Sequence, residues 1–228
     1  MKKRNNWLAG YKKNITSQAG EDGIIEKVFE VLGITTGFFV DVGAWGMHKS
    51  NTYSLIKKGW TGVFIDRNKR FVHRIKKMYR LEGWGDRAYC VYQTVAVAGI
   101  KRLDKILNNK PVPKDFDFLS IDIDGDDFYV WKSLVGYQPK VVVVEFNPVC
   151  GLDNYVQPIG GAGGASLSLL IKLGKVKGYE LIATTNLNAF FVRRDLFPKF
   201  EIINNSIEEL FIENTVRYGK DTKNYATT

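Results

Sequence analysis

Short apolar runs alternate with amphipathic segments along almost the whole of this 228-residue chain. The strand-like runs are residues 38–43, 62–66, 88–97, 116–122 and 140–146, with a final pair at 179–184 and 189–192. The segments with helical spacing are residues 24–32, 50–58, 68–79, 101–108, 126–134, 166–177 and 206–216. Strands that alternate with helices form parallel units, since a parallel pair needs a long crossover. The pattern therefore predicts one doubly wound, mostly parallel α/β sheet.

The composition excludes several classes of protein. Hydrophobic residues make up 45% and charged residues 25% of the chain, which is typical of a globular domain and not of a disordered or fibrous protein. Two cysteines and two histidines argue against a disulfide scaffold, a cysteine or histidine zinc site and a Ser-His-Asp triad. No segment reaches the roughly 18 continuous apolar residues of a membrane span. The apolar run near the N-terminus is too short for the core of a signal peptide. A soluble, cytoplasmic protein is predicted.

The length and the loop pattern predict a single domain over residues 1–228. Residues 1–16 form a basic N-terminal extension, and residues 217–228 read as a frayed tail. The glycine-rich segment 147–164 is long for a loop in a compact domain. Loops of this length usually carry function.

A glycine turn follows the first strand-like run, and an acid ends the second. Gly43 lets the backbone turn sharply and approach a ligand closely. The G-x-G-x-x-G pattern of dinucleotide sites is absent. Asp66 lies 23 positions after Gly43, close to the roughly 20 expected for a carboxylate that binds ribose hydroxyls. Gly43 and Gly46 would also suit a simple tight turn, but with Asp66 the pattern favours a nucleoside site.

Four acids crowd the end of the run 116–122, at positions 122, 124, 126 and 127. Carboxylates so close repel one another unless they share a proton or a cation, so such a cluster points to a functional site. Asp127 suits the first turn of the following helix, where an acid favours the helix dipole. Asp122 and Asp124 precede that helix. Glu145 ends the next apolar run and would face the same crevice, and carboxylates of this kind suit Mg²⁺.

Two other charged segments have ordinary structural explanations. The segment 17–23 reads as a helix start, with Glu21 and Asp22 in the first turn. Lysines and arginines decorate the helix predicted at 68–79, which is typical of a solvated face. With 33 basic and 24 acidic residues the chain carries a formal charge of +9. Such a charge suits an anionic partner without naming it.

Seven segments, in this order and spacing, resemble the FkbM-type methyltransferases, which are class I enzymes dependent on S-adenosylmethionine. They are SQAGED at 17–22, FFVDVGAW at 38–45, SNTY at 50–53, GWTGVFID at 59–66, RLDKIL at 102–107, and the segments 117–125 and 141–147. The match spans about residues 17–192, which is most of the chain. The resemblance implies a Rossmann-like seven-stranded, mostly parallel sheet with helices on both faces and the last strand antiparallel.

The resemblance also implies a set of cofactor-binding residues. Asp41, Gly43 and Ala44 would wrap the methionine part of S-adenosylmethionine, and Asp66 would hold the ribose. The residues expected around the rest of the cofactor, or of its product S-adenosylhomocysteine, are Gln18, Trp45, Asn51, Arg67, Thr94, Val95 and Asp122.

Related sugar O-methyltransferases use a magnesium ion and a carboxylate pair after the fourth strand. On that pattern Asp122 and Asp124 would be catalytic, with Asp124 as the general base. Asp122, Glu145 and Asn147 would be the magnesium ligands. A sugar hydroxyl is a poor nucleophile at neutral pH and needs a base, a metal or both. The loop 147–164 would cover or select the acceptor.

The resemblance thus predicts an O-methyltransferase that acts on a hydroxyl of a sugar or glycan. One alternative is an RNA 2′-O-methyltransferase, which the +9 charge favours. Such enzymes need a lysine beside the strand-four acid, and none stands there. The other alternative is a non-catalytic module that binds a nucleotide or an anionic glycan. A module of that kind would not need the repulsion between Asp122 and Asp124.

Overall fold

The computed structural model describes residues 5–45, 49–150 and 153–211, and they build one seven-stranded sheet. The strands are β1 (Phe38–Val42), β2 (Thr61–Asp66), β3 (Ala88–Tyr92), β4 (Phe118–Ile121), β5 (Val141–Glu145), β6 (Tyr179–Thr184) and β7 (Asn188–Arg193). Their order across the sheet is β3-β2-β1-β4-β5-β7-β6, and β7 runs antiparallel to both of its neighbours. The predicted fold class is therefore confirmed.

The described part of the chain also contains seven α-helices. They are α1 (Glu21–Leu32), α2 (Tyr53–Lys57), α3 (Lys69–Leu81), α4 (Leu103–Leu107), α5 (Asp127–Ser133), α6 (Leu167–Lys177) and α7 (Ile207–Leu210). No helix among the described residues is long and apolar enough to cross a membrane. Residues 212–216 of the helix predicted at 206–216, and the tail 217–228, lie outside the described residues.

The residues at their caps explain where three of the helices begin or end. Gly33 and Gly178 end α1 and α6 with positive φ angles of 72° and 83°, the left-handed geometry that glycine adopts at low cost. Ser166 caps α6 by accepting a hydrogen bond from the N–H of Leu169. The helix expected from Ser50 begins only at Tyr53. The Ser50 hydroxyl oxygen accepts hydrogen bonds from the N–H groups of residues 52 and 53, which favours a turn before the helix.

Strand β3 is shorter than the predicted run 88–97. Its last pair joins Tyr92 to Asp66, where β2 ends. Because β2 supplies the ladder on which β3 pairs, β3 loses its partner once the chain turns into α3. Residues 93–95 are left as a loop at the edge of the sheet.

Two hydrophobic layers sandwich the sheet. Alternate strand residues face opposite sides, so Val40 and Val42 pack beneath α4, α5 and α6. Phe39 packs on the other side with α1, α2 and α3. The segment before α1, expected as an extension, joins this second layer, since Leu8 is fully buried and the Trp7 indole donates a hydrogen bond to the carbonyl of Phe200.

The first turn of α1 anchors other segments, a role that a helix start alone does not require. Asp22 accepts hydrogen bonds from the backbone N–H groups of residues 15–17 at 2.6–2.8 Å and from the Ser54 hydroxyl at 2.9 Å. Glu21 accepts hydrogen bonds from the side chains of Thr185, which follows β6, and Asn188, which begins β7. Both carboxylates are buried.

The hydrogen bonds that Asp22 accepts predict a pH-dependent contribution to the stability of the fold. Burial raises the pKa of Asp22, but hydrogen bonds from residues 15–17 and Ser54 outweigh it and leave that pKa below its ordinary value of 3.8. The stabilisation is therefore fully present above the ordinary value and is lost as the pH falls through the lowered one. We expect Asp22→Asn to lower the free energy of unfolding at pH 7 by about 2 kcal/mol.

Urea unfolding at pH 7 and near pH 3 measures this effect. The difference between Asp22→Asn and the unmodified chain should be smaller at the lower pH, because Asp22 is by then largely protonated in the unfolded chain. Glu30→Gln, an exposed acid of the same helix, is the control and should change stability by less than about 0.5 kcal/mol. An equal loss from Asp22→Asn at both pH values would contradict the assignment.

Candidate active site

A cavity of about 380 Å³ opens at the carboxyl ends of β1, β2 and β4, beside the loop after β3. This is where doubly wound sheets bind ligands. Its walls come from four places: the turn after β1, the end of β2 with the start of α3, the loop 93–95 and the turn 122–126. The residues from the first two are Val42, Gly43, Trp45, Ile65, Asp66, Arg67, Asn68 and Phe71. Gly160 and Gly161, from the long loop after β5, complete the wall.

Glycine is required at position 43, where the chain leaves β1 beside the end of the parallel strand β4. Its φ is +91°, and a Cβ built there would lie 1.7 Å from the backbone oxygen of Asp122. No other residue fits both the left-handed backbone and this approach. The glycine turn expected from the sequence thus brings the end of β1 against the end of β4.

Asp66 ends β2 with its carboxylate at the cavity. One oxygen accepts a hydrogen bond from the N–H of Asn68 at 2.5 Å, at the start of α3. The other makes no hydrogen bond with any described residue. Burial raises the pKa of Asp66, against the hydrogen bond from Asn68. A buried acceptor with a free oxygen suits a ligand that donates hydroxyl hydrogen bonds.

Three carboxylates meet beside the cavity, although their residues come from two strands. Oxygens of Asp122, Asp124 and Glu145 lie within 4.8 Å of one another. The parallel pairing of β4 with β5, in which Ile121 faces Val144, brings these strand ends together. Burial and then the neighbouring carboxylates raise the pKa values of Asp122 and Glu145. Such a group of hard oxygen ligands suits a divalent cation.

The turn that carries Asp124 is fixed by hydrogen bonds to the side chain of Asp127. Asp127, fully buried, accepts hydrogen bonds from the N–H groups of Ile123 and Gly125, both at 2.9 Å. Asp124 itself has a φ of +58°, a left-handed conformation that is uncommon outside glycine. Asp127 was expected only to favour the helix dipole, and it also fixes this strained turn. Strain of this kind is concentrated at functional sites.

A second cavity of about 250 Å³ adjoins the first. Asp124 and Gly125 line both cavities. Glu145, Asn147 and Leu187 are among the other walls of the second cavity. Asp124 is exposed on the boundary between the two spaces.

The loop after β5 has its own hydrogen-bond network within residues 153–164. Gln157 is buried, and its side chain bonds to the backbone of Gly161, Gly163 and Gly164. Gly160 donates to the Asp126 carboxylate at 2.8 Å. These contacts hold the glycine-rich segment against both cavities, and a Cβ on Gly125 would meet the backbone oxygen of Gly161 at 2.6 Å.

The structure separates the predicted site residues into two groups. Those lining the first cavity are Gly43, Trp45, Asp66, Arg67, Thr94, Val95, Asp122 and Asp124. Those not among its walls are Gln18, Asp41, Ala44, Asn51, Glu145 and Asn147. Glu145 and Asn147 line the second cavity instead. Gln18 is exposed in the segment before α1.

Two buried polar residues that do not line the first cavity are hydrogen-bonded to other parts of the protein. Asp41 accepts a hydrogen bond from the Thr52 hydroxyl at 2.5 Å, and burial raises its pKa to about 6. Asn51 donates to the Ser120 hydroxyl. Asn147 also has committed polar atoms, since its amide donates to Gly163 and its oxygen accepts from Val149.

Some wall residues were not expected from the sequence. Phe71 lines the first cavity and its ring lies 5.3 Å from that of Trp45. Phe71 has the same helical spacing as the buried residues of α3, so the sequence pattern does not mark it as a site residue. Gly160 and Gly161 reach the cavity through the loop network, for which no local pattern exists.

No family model and no curated protein matches the sequence. Solved structures do match the fold. An O-methyltransferase from Bacillus cereus in complex with SAH superposes with a TM-score of 0.53 at 13% identity, covering 80% of this chain and 84% of that one. An S-adenosylmethionine-dependent methyltransferase from Clostridium acetobutylicum gives 0.50 at 11% identity, covering 76% and 90%. The chain therefore has the Rossmann-like fold of the class I S-adenosylmethionine-dependent methyltransferases.

Proposed function

We propose that the protein is an S-adenosylmethionine-dependent O-methyltransferase, of the FkbM type, that methylates a hydroxyl of a sugar or glycan. The observation that carries this proposal is the position of Asp124. Its carboxylate borders both a cavity suited to a nucleoside and a second cavity beside it. A base on the boundary between two ligand sites is what transfer from one ligand to the other requires.

The first cavity fits the cofactor. Its volume falls within the usual range for small-molecule sites. The free oxygen of Asp66 is placed to accept a ribose hydroxyl, as the sequence spacing also predicts. Thr94 and Val95, at the side of the cavity next to β3, would border the adenine. S-adenosylmethionine, when bound, supplies a methyl group already activated on a sulfonium.

The second cavity suits an acceptor with several hydroxyls. Glu145 and Asn147 offer polar atoms there, while Pro148 and Leu187 supply apolar walls. Asp124 would accept the proton of the reacting hydroxyl, and Asp127 holds the turn that presents it. The loop segment held by Gln157 would exclude water and orient the acceptor.

A divalent cation is a further part of the proposal. Asp122 and Glu145 would bind it, as the sequence predicts, and Asp124 supplies the third oxygen within reach. Asn147 is the weaker third ligand, since the loop already engages its amide and its oxygen. A carboxylate can bind a cation through one oxygen and keep the other as a proton acceptor. When bound, the cation would lower the pKa of the acceptor hydroxyl.

Calorimetric titration tests the cofactor and the cation separately. We expect micromolar binding of S-adenosylhomocysteine, and a change in Mg²⁺ binding but not in S-adenosylhomocysteine binding when Glu145→Gln removes one carboxylate. Glu82→Gln, an exposed acid after α3, is the matched control and should leave both unchanged. Absence of binding by either S-adenosylmethionine or S-adenosylhomocysteine would overturn the proposed function, while Mg²⁺ binding unaffected by Glu145→Gln would overturn only the cation site.

A further inference from the structure

The charge of the chain is divided unevenly between two regions. Residues 66–114 contain 13 lysines and arginines and four acids, a formal charge of +9, whereas residues 122–166 contain two lysines and six acids, a formal charge of −4. The first region includes α3, β3 and α4, and the second includes α5, β5 and the loop after β5. Clefts lined by charge of one sign attract ligands of the opposite sign and repel those of the same sign. The two regions therefore favour different ligands.

The sheet keeps these two regions apart. β3 is an edge strand, and β2, β1 and β4 separate it from β5. Neighbouring strands lie about 4.8 Å apart, so the ends of β3 and β5 are about 19 Å apart. Among the described walls of the first cavity the basic residue is Arg67, which follows β2 and is about 14 Å from the end of β5 by the same count. The positive charge therefore lies on the side of the candidate cofactor cavity and not at the second cavity.

The second cavity has acidic and apolar walls. Its ionisable residues are Asp124, Asp127 and Glu145, and no lysine, arginine or histidine is among the described residues that line it. Its apolar walls are Phe146, Pro148, Val149, Ala162 and Leu187. A negatively charged group in this space would lie close to carboxylates and would find no positive partner among these walls, an arrangement that costs binding energy.

The loop that borders the second cavity also offers no basic side chain. Residues 147–164 contain no lysine, arginine or histidine and one acid, Asp153. Proteins bind phosphates and carboxylates with arginine, with lysine or with backbone N–H groups that are free to donate. The N–H groups of Gly163 and Gly164 are not free, because both donate to the side chain of Gln157. Neither the side chains of this loop nor these backbone groups are placed to bind an anion.

A divalent cation would not reverse the sign of the charge at this cavity. Its ligands would be the deprotonated carboxylates of Asp122, Asp124 and Glu145. Its two positive charges would then face three negative charges, and Asp127 adds a fourth beside them. Without the cation, protonation of a carboxyl group removes a negative charge but supplies no positive one. The cavity therefore disfavours an anion in both cases.

We propose that the methylated unit of the acceptor carries no negative charge: it is a neutral or amino sugar, and not a phosphorylated, sulfated or uronic one. The inference rests on the proposed function and narrows its substrate class. The cavity of about 250 Å³ is smaller than the usual sites of drug-sized ligands, which suits a single sugar unit. The same charges disfavour the RNA alternative, because a 2′-hydroxyl of RNA is flanked by phosphates.

Transfer of a radiolabelled methyl group to matched acceptors tests the inference. The acceptors are the methyl glycosides of glucose, galactose and mannose, the amino, uronic and phosphorylated counterpart of each, and a single-stranded RNA. We expect kcat/KM for a neutral or amino sugar to exceed that for its anionic counterpart by about tenfold or more, because like charges repel in such a site. Methylation of an anionic sugar or of the RNA at the rate of the neutral sugars or faster would overturn the proposal.

The absence of transfer has two distinguishable causes. If S-adenosylhomocysteine binds but no acceptor is methylated, this inference is overturned together with the sugar as acceptor. If S-adenosylhomocysteine does not bind, the proposed function itself is overturned.

A charge added to the wall separates electrostatic selection from shape. Val149 lines the second cavity and is 66% exposed, so the fold should tolerate both Val149→Lys and Val149→Gln, which differ by one positive charge. Val149→Lys should lower the ratio of kcat/KM between neutral and anionic sugars by about threefold or more at low salt. This shift should disappear in salt of about 1 M, where charges are screened within about 3 Å.

Two control variants accompany Val149→Lys. Val149→Gln changes the shape of the wall without charge, and Val176→Lys adds the same charge to an exposed position of α6 that lines neither cavity. Both should leave the ratio between neutral and anionic sugars within about twofold of its original value. Equal ratios in Val149→Lys and Val149→Gln would overturn the proposal, because charge at the cavity would then not select the acceptor.

Discussion

Replacing Asp124 by asparagine is expected to abolish methyl transfer while leaving the affinity for S-adenosylhomocysteine within about threefold. A positioned general base contributes about 10²–10⁴-fold to a rate, and the amide of asparagine cannot accept the proton. The backbone should tolerate the change. Asparagine adopts left-handed conformations such as the φ of +58° at this position, and the hydrogen bonds from Ile123 and Gly125 end on Asp127, which is unchanged.

The measurement is release of S-adenosylhomocysteine with an acceptor that the unmodified chain methylates. Asp126→Asn is the matched control, because it neutralises the next acid and retains an oxygen to accept the N–H of Gly160. We expect this control to keep turnover within about threefold, since it removes no proton acceptor at the boundary between the cavities. Near-normal turnover by Asp124→Asn would exclude Asp124 as the base.

Replacing Asp66 by alanine should weaken S-adenosylhomocysteine binding by about 30-fold to 150-fold. Hydrogen bonds to a charged acceptor contribute about 2–3 kcal/mol when they are buried, and Asp66 is 7% exposed at the cavity wall. The alanine variant also leaves the N–H of Asn68 without its acceptor at the start of α3. Asp66→Asn separates these effects, because it retains an oxygen for Asn68 and loses only the charge.

Calorimetry gives the two dissociation constants, and thermal unfolding shows whether the fold is preserved. An intermediate loss for Asp66→Asn would assign part of the effect to the charge and part to the start of α3. Asp86→Ala, which changes an exposed acid between α3 and β3, should leave the affinity unaltered. Unchanged affinity in Asp66→Ala would remove Asp66 from the cofactor site.

Much of this architecture follows from local signals. The strand-like runs and helical stripes predicted the element order, since each has a period of about 2 or 3.6 residues and a face to bury. Gly43 with Asp66 marked the candidate nucleoside site. Strand ends were predicted less well, as with β3, because a strand ends where its neighbour does.

The side-chain partners of the site could not be predicted in the same way. Asp41 stands two residues before Gly43, yet it faces α2 and bonds to Thr52. Asn147 lies two positions after Glu145, the acid that ends β5. Its polar atoms are nevertheless hydrogen-bonded within the loop that follows β5. In both cases a partner more than ten positions away in the sequence, Thr52 or Gly163, decides where the polar atoms point.

The sequence by itself determined the alternation of elements, the sharp turn at Gly43 and the presence of acids after two apolar strands, because these depend on residue type and local spacing. Only the tertiary structure decided that Asp124 stands between two cavities, that Asp22 bonds to Ser54 in another segment, and that Gln157 holds its own loop beside those cavities. The physical reason is that strand order and loop packing bring together groups whose separation in the chain carries no information about their distance in space.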